Sequence, residues 1–372
     1  MTRWAWAEVD ASAIEGNVRA LAQDVTSAWP VQVWAVVKAD GYGHGALTAA
    51  RAALAGGASG LCVALVQEGA RLRAAGIEVP ILVLSEQPHE DLPDAVANGL
   101  RLTIYRPAYL AALEAIGARD VPVHLKIDTG MHRVGAAPQD ALALADAIAA
   151  SPAATLEGVF THLAVADEPD DPYTTEQLDR FDVVLDNLSA AGHRPSIVHA
   201  ANSAGAIMHP RARYSMVRPG IAVYGLSPGA GVDETARQLG LRPALSLRAR
   251  ISLVKRLPAG ARISYGLRHT FTRDTTVATV PIGYADGVPR RLPAAGGEVL
   301  IGGVRRPIVG VVTMDQLMVD CGDDPVAVGD AVVLLGHQGA EVITATEWAT
   351  RLGTIAYEVV CGISSRVERR GP

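Results

Sequence analysis

Cysteine is scarce in this sequence, with three residues in a chain of 372. Cys62, Cys321 and Cys361 lie far apart and lack the close spacing of metal ligands. Isolated thiols of this kind are typical of buried residues in a reducing compartment. We therefore expect three buried free thiols and no metal site.

An excess of positive charge and long apolar segments are also missing. The net charge is −6, which argues against a nucleic acid or an anionic membrane as a partner. The amino terminus lacks the apolar segment of a signal peptide, and no uninterrupted apolar span is long enough to cross a bilayer. These absences predict a cytoplasmic protein with neither a membrane nor a nucleic acid as partner.

Apolar residues, by contrast, are abundant at 49%, and the length favours two domains. Over residues 1–232, apolar strand-like runs alternate with alanine-rich stretches of helical periodicity. Eight strands with crossover helices predict an α/β fold, a parallel (β/α)8 barrel of the TIM type. The predicted strands are 31–38, 60–66, 80–85, 101–105, 121–127, 156–163, 196–201 and 216–224. The predicted helices include 67–75, 106–117, 138–150, 173–191 and one from Ser12, in a capping box with Glu15, to about Val25.

The texture changes near residues 227–232, where short β-branched segments separated by glycine and proline turns begin. This pattern predicts a mostly antiparallel β domain over residues 233–372. Its predicted strands are 244–255, 262–265, 276–283, 298–301, 307–312, 316–320 and 331–335. One helix is predicted over 344–352, between Thr344 and a C-cap at Gly353.

The first buried strand ends in Lys38, and glycines follow at 41, 43 and 45. A lysine there loses hydration, which lowers its pKa and frees the amine for Schiff-base chemistry. The glycines let a backbone approach a ligand closely, and the Tyr42 hydroxyl can bind a phosphate oxygen. The pattern is typical of a pyridoxal phosphate lysine, although a lysine that snorkels from a strand end is the alternative.

Other polar motifs follow the later strands of the predicted barrel, where catalytic groups of such barrels lie. The loops after strands seven and eight often hold phosphate, and Asn202, Ser203 and Gly220 fall in those loops. Taken singly, each motif also fits a helix cap, a turn or a buried polar residue. The motifs after strands five to eight are Lys126 with Arg133, His162, Asn202 with Ser203, and Arg218 with Gly220 and Ile221.

The run Ala-Val-Val-Lys-Ala-Asp-Gly-Tyr-Gly-His-Gly around Lys38 resembles the cofactor-lysine signature of the alanine racemase family, and further motifs match in order over nearly the whole chain. The resemblance implies pyridoxal 5'-phosphate bound to Lys38. It assigns the cofactor phosphate to Tyr42, Asn202, Ser203, Gly220 and Ile221. It places Arg218 against the pyridine nitrogen, with His162 beside it. Because arginine keeps its proton, that nitrogen stays unprotonated.

The same resemblance implies a homodimer with shared sites and a small amino acid as substrate. Tyr265 in the second domain is then the base opposite Lys38, and Tyr284 lines the substrate entrance. Met314 and Asp315 handle the substrate carboxylate and the opposite subunit's site. Arg133 contacts the cofactor's phenolic oxygen beside the substrate, and Lys126 corresponds to a lysine that is often carbamylated.

Three positions depart from the family pattern. His132 stands where glycine is usual, Val311 where arginine is frequent, and Ser365 where tyrosine is frequent. The last two leave open a racemase with a broader range of small substrates, such as serine. A pyridoxal phosphate-dependent decarboxylase with a similar two-domain plan is a second alternative. A catalytically idle cofactor carrier is a third, but carriers resemble the barrel alone.

Overall fold

A computed structural model describes residues 3–27 and 29–372, which divide into two compact units. One unit is Ser12–Arg242, and the other combines Met1–Ala11 with Pro243–Pro372. The domain boundary predicted after residue 232 lies earlier in the chain than the one observed after Arg242, and the prediction places the first residues in the barrel domain. They group with the carboxy-terminal unit because strand β1 (Ala5–Val9) pairs with two strands of its sheet.

In the unit Ser12–Arg242, eight parallel strands close into a barrel, and each overlaps one of the predicted runs. The last run, 216–224, is strand only over Met216–Val217, and Ile221–Tyr224 forms a helical turn instead. The strands are nearly continuous in apolar residues because barrel strands are covered on both faces. In β3, for example, all four residues are buried. The barrel strands are β2 (Gln32–Val36), β3 (Gly60–Val63), β4 (Ile81–Val83), β5 (Arg101–Ile104), β6 (Val121–Lys126), β7 (Ala154–Phe160), β8 (Ile197–His199) and β9 (Met216–Val217).

Helices link these strands, as the alanine-rich periodic stretches predict. The first one begins at Ala11, so Ser12 lies within its first turn and is not its N-cap. The helices are Ala11–Val25, Ala46–Ala55, Val66–Ala74, Leu92–Ala97, Pro107–Ala115, Ala141–Ala150, Tyr173–Ala190, Ser203–Met208 and Asp233–Gln238.

The other unit is built on a ten-stranded sheet and a two-stranded ribbon of β12 (Arg262–Ile263) and β13 (His269–Thr270). All of its strand pairs are antiparallel except β1 with β20 (Glu368–Arg370). The predicted run 244–255 is two strands, and each joins a different neighbour. The strands are β10 (Leu245–Arg250), β11 (Leu253–Leu257), β12 (Arg262–Ile263), β13 (His269–Thr270), β14 (Thr275–Val280), β15 (Glu298–Ile301), β16 (Val304–Val309), β17 (Leu317–Gly322), β18 (Ala331–Gln338), β19 (Glu341–Ile343) and β20 (Glu368–Arg370).

Two helices lie in this unit, where the sequence predicts one. The predicted helix is Ala345–Leu352, and its N-cap Thr344 accepts a hydrogen bond from the backbone N–H of Glu347. The second, Ala356–Cys361, begins only three residues after Gly353 ends the first. It leaves Cys361 exposed, so the prediction of a buried thiol is wrong there, whereas Cys62 and Cys321 are buried.

Throughout the described ranges, no helix combines the length and apolar composition that spanning a membrane requires.

Candidate active site

The barrel brings the predicted polar residues to one rim. Lys126 is the last residue of β6, and Lys38, His162, Asn202 and Arg218 each follow the end of a strand. Since all eight strands run in the same direction, their carboxyl ends share that rim. The charges of Arg218, Arg133 and Lys38 all act on Lys126, so these cations lie close together.

The segment after Lys38 is a left-handed helical turn. Ala39, Asp40, Gly41 and Tyr42 have φ angles of 52°, 53°, 62° and 52°. A non-glycine residue in this conformation costs about 1–2 kcal/mol, so a run of four that contains three such residues persists only where the surroundings enforce it. The turn therefore fixes the direction in which the chain leaves Lys38.

Three polar side chains hold this turn. Glu68 accepts a hydrogen bond from the backbone N–H of Ala39 at 2.7 Å. Asp40 accepts one from the N–H of Ala46 at 2.8 Å. The buried His44 donates from Nδ1 to the carbonyls of Gly41 and Tyr42, at 3.1 and 2.9 Å. Glu68 and His44 are not predicted from the sequence, because nothing in the sequence shows that the turn is left-handed.

A cradle of small donor groups forms beside Tyr42. The Ser203 hydroxyl accepts hydrogen bonds from the backbone N–H of Gly220 at 2.8 Å and of Ala222 at 3.3 Å. A Cβ atom on Gly220 would lie 2.4 Å from the Tyr42 hydroxyl oxygen. The position thus has no room for a side chain. Hydroxyls and N–H groups that converge in this way suit a phosphate group.

The Asn202 side chain caps the short helix Ser203–Met208 by accepting from the N–H of Gly205 at 2.9 Å. Ile221 is fully buried and opens a single turn that follows Gly220. Both residues border the cradle along the chain, as the sequence predicts.

Arg218 is a buried cation, only 3% exposed, whose hydrogen-bond acceptors are neutral. It donates to the carbonyls of Thr161 and Ala200, at 2.9 and 3.0 Å. It also donates to Nδ1 of His162, at 3.3 Å, and to Nδ1 of His199. Burial lowers the pKa of Arg218 to about 10, which still leaves the guanidinium protonated at neutral pH.

Burial and the neighbouring cations also change Lys126 and His162. Burial, and then the charges of Arg218, Arg133 and Lys38, lower the pKa of Lys126 to about 7. The same causes hold the pKa of His162 well below its ordinary value, so its imidazole is neutral. Arg133 itself is exposed. This rim of the barrel is therefore poised to receive negative charge.

In the carboxy-terminal unit, Tyr265 follows a strained residue. Ser264 has a φ of 66°, and its hydroxyl donates to the carbonyl of Val311 at 3.0 Å. Tyr265 is 73% exposed and lines a cavity of about 790 Å³ together with Thr313 and Met318. The turn thus presents the phenol at the surface of this unit.

Tyr284 and Met314 lie on two adjoining loops. The N–H of Tyr284 donates to the carbonyl of Thr313 at 3.0 Å, and the N–H of Ala285 to that of Met314 at 3.1 Å. Behind them, the buried Asp286 accepts two hydrogen bonds from Arg3, at 2.8 and 2.6 Å. Asp286 is not among the site residues that the sequence predicts. Asp315 is exposed and pairs with Arg366 at 2.6 Å.

The departures from the family pattern lie in three settings. His132 is exposed and has a φ of 55°, the backbone region that favours glycine. Val311 is half-buried, and its carbonyl holds Ser264. Ser365 is exposed.

Comparison with known proteins agrees with this architecture over the full chain. The model of the alanine racemase N-terminal domain matches residues 9–228, and that of the C-terminal domain matches residues 244–371. An alanine racemase of Symbiobacterium thermophilum is 52% identical over 98% of this chain and 96% of its own length. One of Thermobifida fusca is 46% identical over 99% of this chain and 98% of its own length.

Solved structures give the same result. Alanine racemase from D-cycloserine-producing Streptomyces lavendulae superposes with a TM-score of 0.93 at 39% identity, covering 100% of this chain and 98% of that one. The Bacillus anthracis enzyme with bound L-Ala-P has a TM-score of 0.93 at 39% identity, covering 100% of this chain and 96% of that one. The fold and the matched domains define a two-domain barrel isomerase. The chain belongs to the alanine racemase family, whose members use pyridoxal phosphate.

The alternatives from the sequence analysis are not favoured. An idle carrier would match the barrel alone, but the second family model covers residues 244–371. The relatives described above share the whole two-domain plan and bear the name alanine racemase, which favours neither a decarboxylase nor a racemase of another substrate.

The lowered pKa of Lys126 predicts a pH-dependent gain in stability for Lys126→Met. Below about pH 7, folded and unfolded chains both carry the proton, and the folded state bears the whole penalty of a buried cation. As pH rises from 7 towards the ordinary value of 10.5, the folded chain releases the proton while the unfolded chain keeps it. The penalty of the buried cation therefore decreases steadily over this range. The penalty is roughly 3–5 kcal/mol.

Guanidinium unfolding at pH 6.5 and 9.5 measures this difference. We expect Lys126→Met to exceed the wild type in free energy of unfolding at the lower pH and the gap to narrow at the higher. Lys255→Met, which replaces an exposed lysine, should change neither value. A less stable Lys126→Met at both values would show that Lys126 is not a penalised cation. A carbamylated side chain, detectable by intact mass, would have this effect.

Proposed function

We propose that this protein interconverts L- and D-alanine with pyridoxal 5'-phosphate as cofactor, and that Lys38 and Tyr265 are its two acid–base groups. One observation carries the proposal: Lys38 stands on a barrel rim that combines a buried arginine with a cradle of hydroxyl and N–H groups. In this proposal the enzyme is cytoplasmic, and its partners are its amino-acid substrate and a second copy of itself. The acidic net charge argues against a nucleic acid or a membrane as a partner.

The residues of the rim suit this cofactor. Lys38 would hold it covalently through Nζ, and the cradle of Tyr42, Ser203 and Gly220 would hold its phosphate, with Asn202 and Ile221 alongside. When bound, the cofactor supplies a conjugated ring that delocalises the electron pair left on Cα when its proton is removed. The lack of space at Gly220 supports this role, because a backbone N–H without a side chain can approach a phosphate closely.

Arg218 limits how strongly the ring can withdraw electrons. A guanidinium that is protonated at neutral pH can only donate a hydrogen bond to the pyridine nitrogen, which therefore stays unprotonated. By keeping that nitrogen unprotonated, Arg218 would favour return of a proton to Cα over the other reactions that this cofactor supports.

Racemisation needs a proton donor and acceptor on each face of Cα. Once the substrate amine has replaced Nζ of Lys38 in the bond to the cofactor, the freed lysine would serve the face that exchanges the proton of the D-enantiomer. Tyr265 would serve the face of the L-enantiomer. A phenol with an ordinary pKa near 10 is a slow base at neutral pH, so it needs positive charge nearby. Lys126, Arg133 and Arg218 supply such charge at the barrel rim.

The site residues of the carboxy-terminal unit are exposed, which supports a site shared between two subunits. Tyr265, Met314 and Tyr284 are 73%, 52% and 42% exposed, and the neighbouring Leu253 and Leu267 are exposed as well. Large apolar side chains that lie together on a surface commonly mark an interface. We propose that this surface meets a second copy of the chain. Each site then combines Lys38 of one subunit with the loops of Tyr265, Tyr284, Met314 and Asp315 of the other.

The direct test incubates the purified enzyme with single enantiomers of a panel of amino acids and measures the opposite enantiomer. We expect D-alanine from L-alanine and the reverse, faster than for any other member. Release of carbon dioxide without inversion would contradict the proposal.

Replacing Tyr265 by phenylalanine separates the two faces. The ring remains and the hydroxyl is lost, so the cofactor should stay bound while turnover falls by about 10²- to 10⁴-fold. In deuterium oxide, exchange at Cα should be impaired far more for L-alanine than for D-alanine. Tyr284→Phe is the matched control, because it removes another exposed hydroxyl of the same unit, and it should leave the two exchange rates in their wild-type ratio. Equal impairment of both enantiomers by Tyr265→Phe would overturn the assignment of faces.

The crowding at Gly220 predicts a loss of cofactor in Gly220→Ala. The added Cβ would lie 2.4 Å from the Tyr42 hydroxyl and displace it from the cradle. We expect the cofactor absorbance to disappear on dialysis faster than in the wild type. Removing the obstructing hydroxyl in the double variant Gly220→Ala/Tyr42→Phe should recover part of the retention lost in Gly220→Ala. Retention of cofactor at the wild-type level in Gly220→Ala would remove Gly220 from the cradle.

A further inference from the structure

A chain of buried polar side chains leads away from Arg218 on the side opposite His162. The Arg218 guanidinium contacts Nδ1 of His199, and Nε2 of His199 lies 2.8 Å from Nδ1 of His124. Nε2 of His124 lies 3.1 Å from a carboxylate oxygen of Glu157. Glu157 in turn pairs with Arg101 at 3.3 Å. The chain thus joins four barrel strands and ends at a carboxylate that is 22% exposed.

The two ends determine where the protons lie along this chain. Arginine can only donate, so its contact with Nδ1 of His199 is attractive only when that nitrogen accepts. A neutral His199 then carries its proton on Nε2 and donates to Nδ1 of His124. His124 in turn carries its proton on Nε2 and donates to the Glu157 carboxylate. Burial lowers the pKa of both histidines, and for His199 the charge of Arg218 adds to this effect, so both rings are neutral.

The carboxylate at the far end is ionised. Burial raises the pKa of Glu157, but the hydrogen bond from His124 and the charge of Arg101 outweigh it and bring the pKa below its ordinary value. Glu157 is therefore a firm acceptor for His124 at neutral pH. Without that acceptor, the N–H on Nε2 of the buried His124 loses its partner, and the cost of an unpaired buried donor favours the opposite tautomer. The opposite tautomer would direct an N–H at His199, and His199 would then direct an N–H at Arg218.

Packing holds the rings in this arrangement. A Cβ atom on residue 158 would lie 2.5 Å from Nδ1 of His124, so Gly158 of β7 leaves the space that this ring fills. The strand register also shifts between Val123 and His124. Phe160 stacks on His199 with ring centroids 4.5 Å apart, and Arg218 lies over the same phenyl ring at 5.2 Å. The rings have little freedom to turn away, so the position of the protons decides whether the contacts attract or repel.

We propose that Glu157 is a positioning residue for Arg218: as the terminal acceptor it fixes the tautomers of His124 and His199, and so keeps His199 an acceptor for the guanidinium. The assignment of the tautomers depends only on this row of hydrogen-bonded side chains and not on the proposed function. Its effect on turnover rests on the proposed function, in which Arg218 faces the cofactor.

The test compares Glu157→Leu, which removes the acceptor, with Glu157→Gln, which keeps a carbonyl oxygen to accept from His124. Glu114→Leu is the control, because Glu114 is an exposed glutamate of the same unit. The ¹⁵N imidazole signals of histidine-labelled protein report the tautomers, and kcat and KM for alanine report turnover. The signals of the two histidines are assigned by His124→Gln and His199→Gln.

In the wild type, in Glu157→Gln and in Glu114→Leu, we expect both histidines to be neutral with the proton on Nε2. In Glu157→Leu we expect that pattern to be lost. We also expect kcat to fall by about 10- to 100-fold, the range seen when the hydrogen-bond partner of a metal-ligating histidine is removed. KM should change little. Wild-type tautomers and kcat in Glu157→Leu would overturn the proposal. So would a Glu157→Gln enzyme that keeps the tautomers but is as slow as Glu157→Leu. A wild type that does not racemise alanine would refute the proposed function instead, and the ¹⁵N signals would still decide the role of Glu157.

Discussion

Four positive side chains crowd at the carboxyl ends of the barrel strands, and the chemistry of the site depends on that crowding. Lys38, Lys126, Arg133 and Arg218 repel one another, and burial adds to the cost of the charge on Lys126 and Arg218. The pKa of Lys126 falls to about 7 as a result, and His162 loses its proton. An anionic ligand would relieve the repulsion, because its phosphate and carboxylate supply the missing negative charge. The same field would lower the pKa of a phenol brought to the rim.

The barrel holds these cations with neutral groups and a constrained backbone. Arg218 is held by carbonyls and imidazoles, so its charge stays available to a ligand. Lys38 is oriented by a left-handed turn that Glu68 and His44 tie down. Carboxylates in contact with Arg218 or Lys126 would neutralise the rim and raise the pKa of Lys126. Glu157 acts instead through two imidazoles, so it supports Arg218 without neutralising it.

The sequence predicts the barrel well because strands covered on both faces form continuous apolar runs, and the site because catalytic groups follow those runs. It predicts the second unit less well. Strands β1 and β20 pair across almost the whole chain, and β12 and β13 have only two residues each, too few for a periodic pattern. The helix Ala356–Cys361 is not predicted, and the exposure of Cys361 is missed because an isolated thiol in an apolar run favours burial.

The polar chain behind Arg218 illustrates another limit. A single histidine in each of two apolar strands is its only signal in the sequence. The contact between His199 and His124 joins residues 75 positions apart on β8 and β6, which lie on either side of β7. Gly158 is essential to that contact, yet in the sequence it is one glycine in an apolar run. The left-handed turn after Lys38 is similar, since only one of its four residues is glycine. Such features depend on tertiary contacts that local sequence does not encode.

The central claim is that each site takes Lys38 from one subunit and Tyr265 from the other, and subunit mixing tests it directly. Lys38→Ala and Tyr265→Phe should each be inactive, the first because it removes the lysine that follows the first barrel strand and would hold the cofactor covalently. If the two variants exchange subunits fully, half of the dimers are mixed and each mixed dimer has one intact site. The account therefore predicts recovery of about a quarter of the wild-type activity per subunit. Dimers that are shown to have exchanged subunits but remain inactive would contradict it, because both groups would then have to act within one chain.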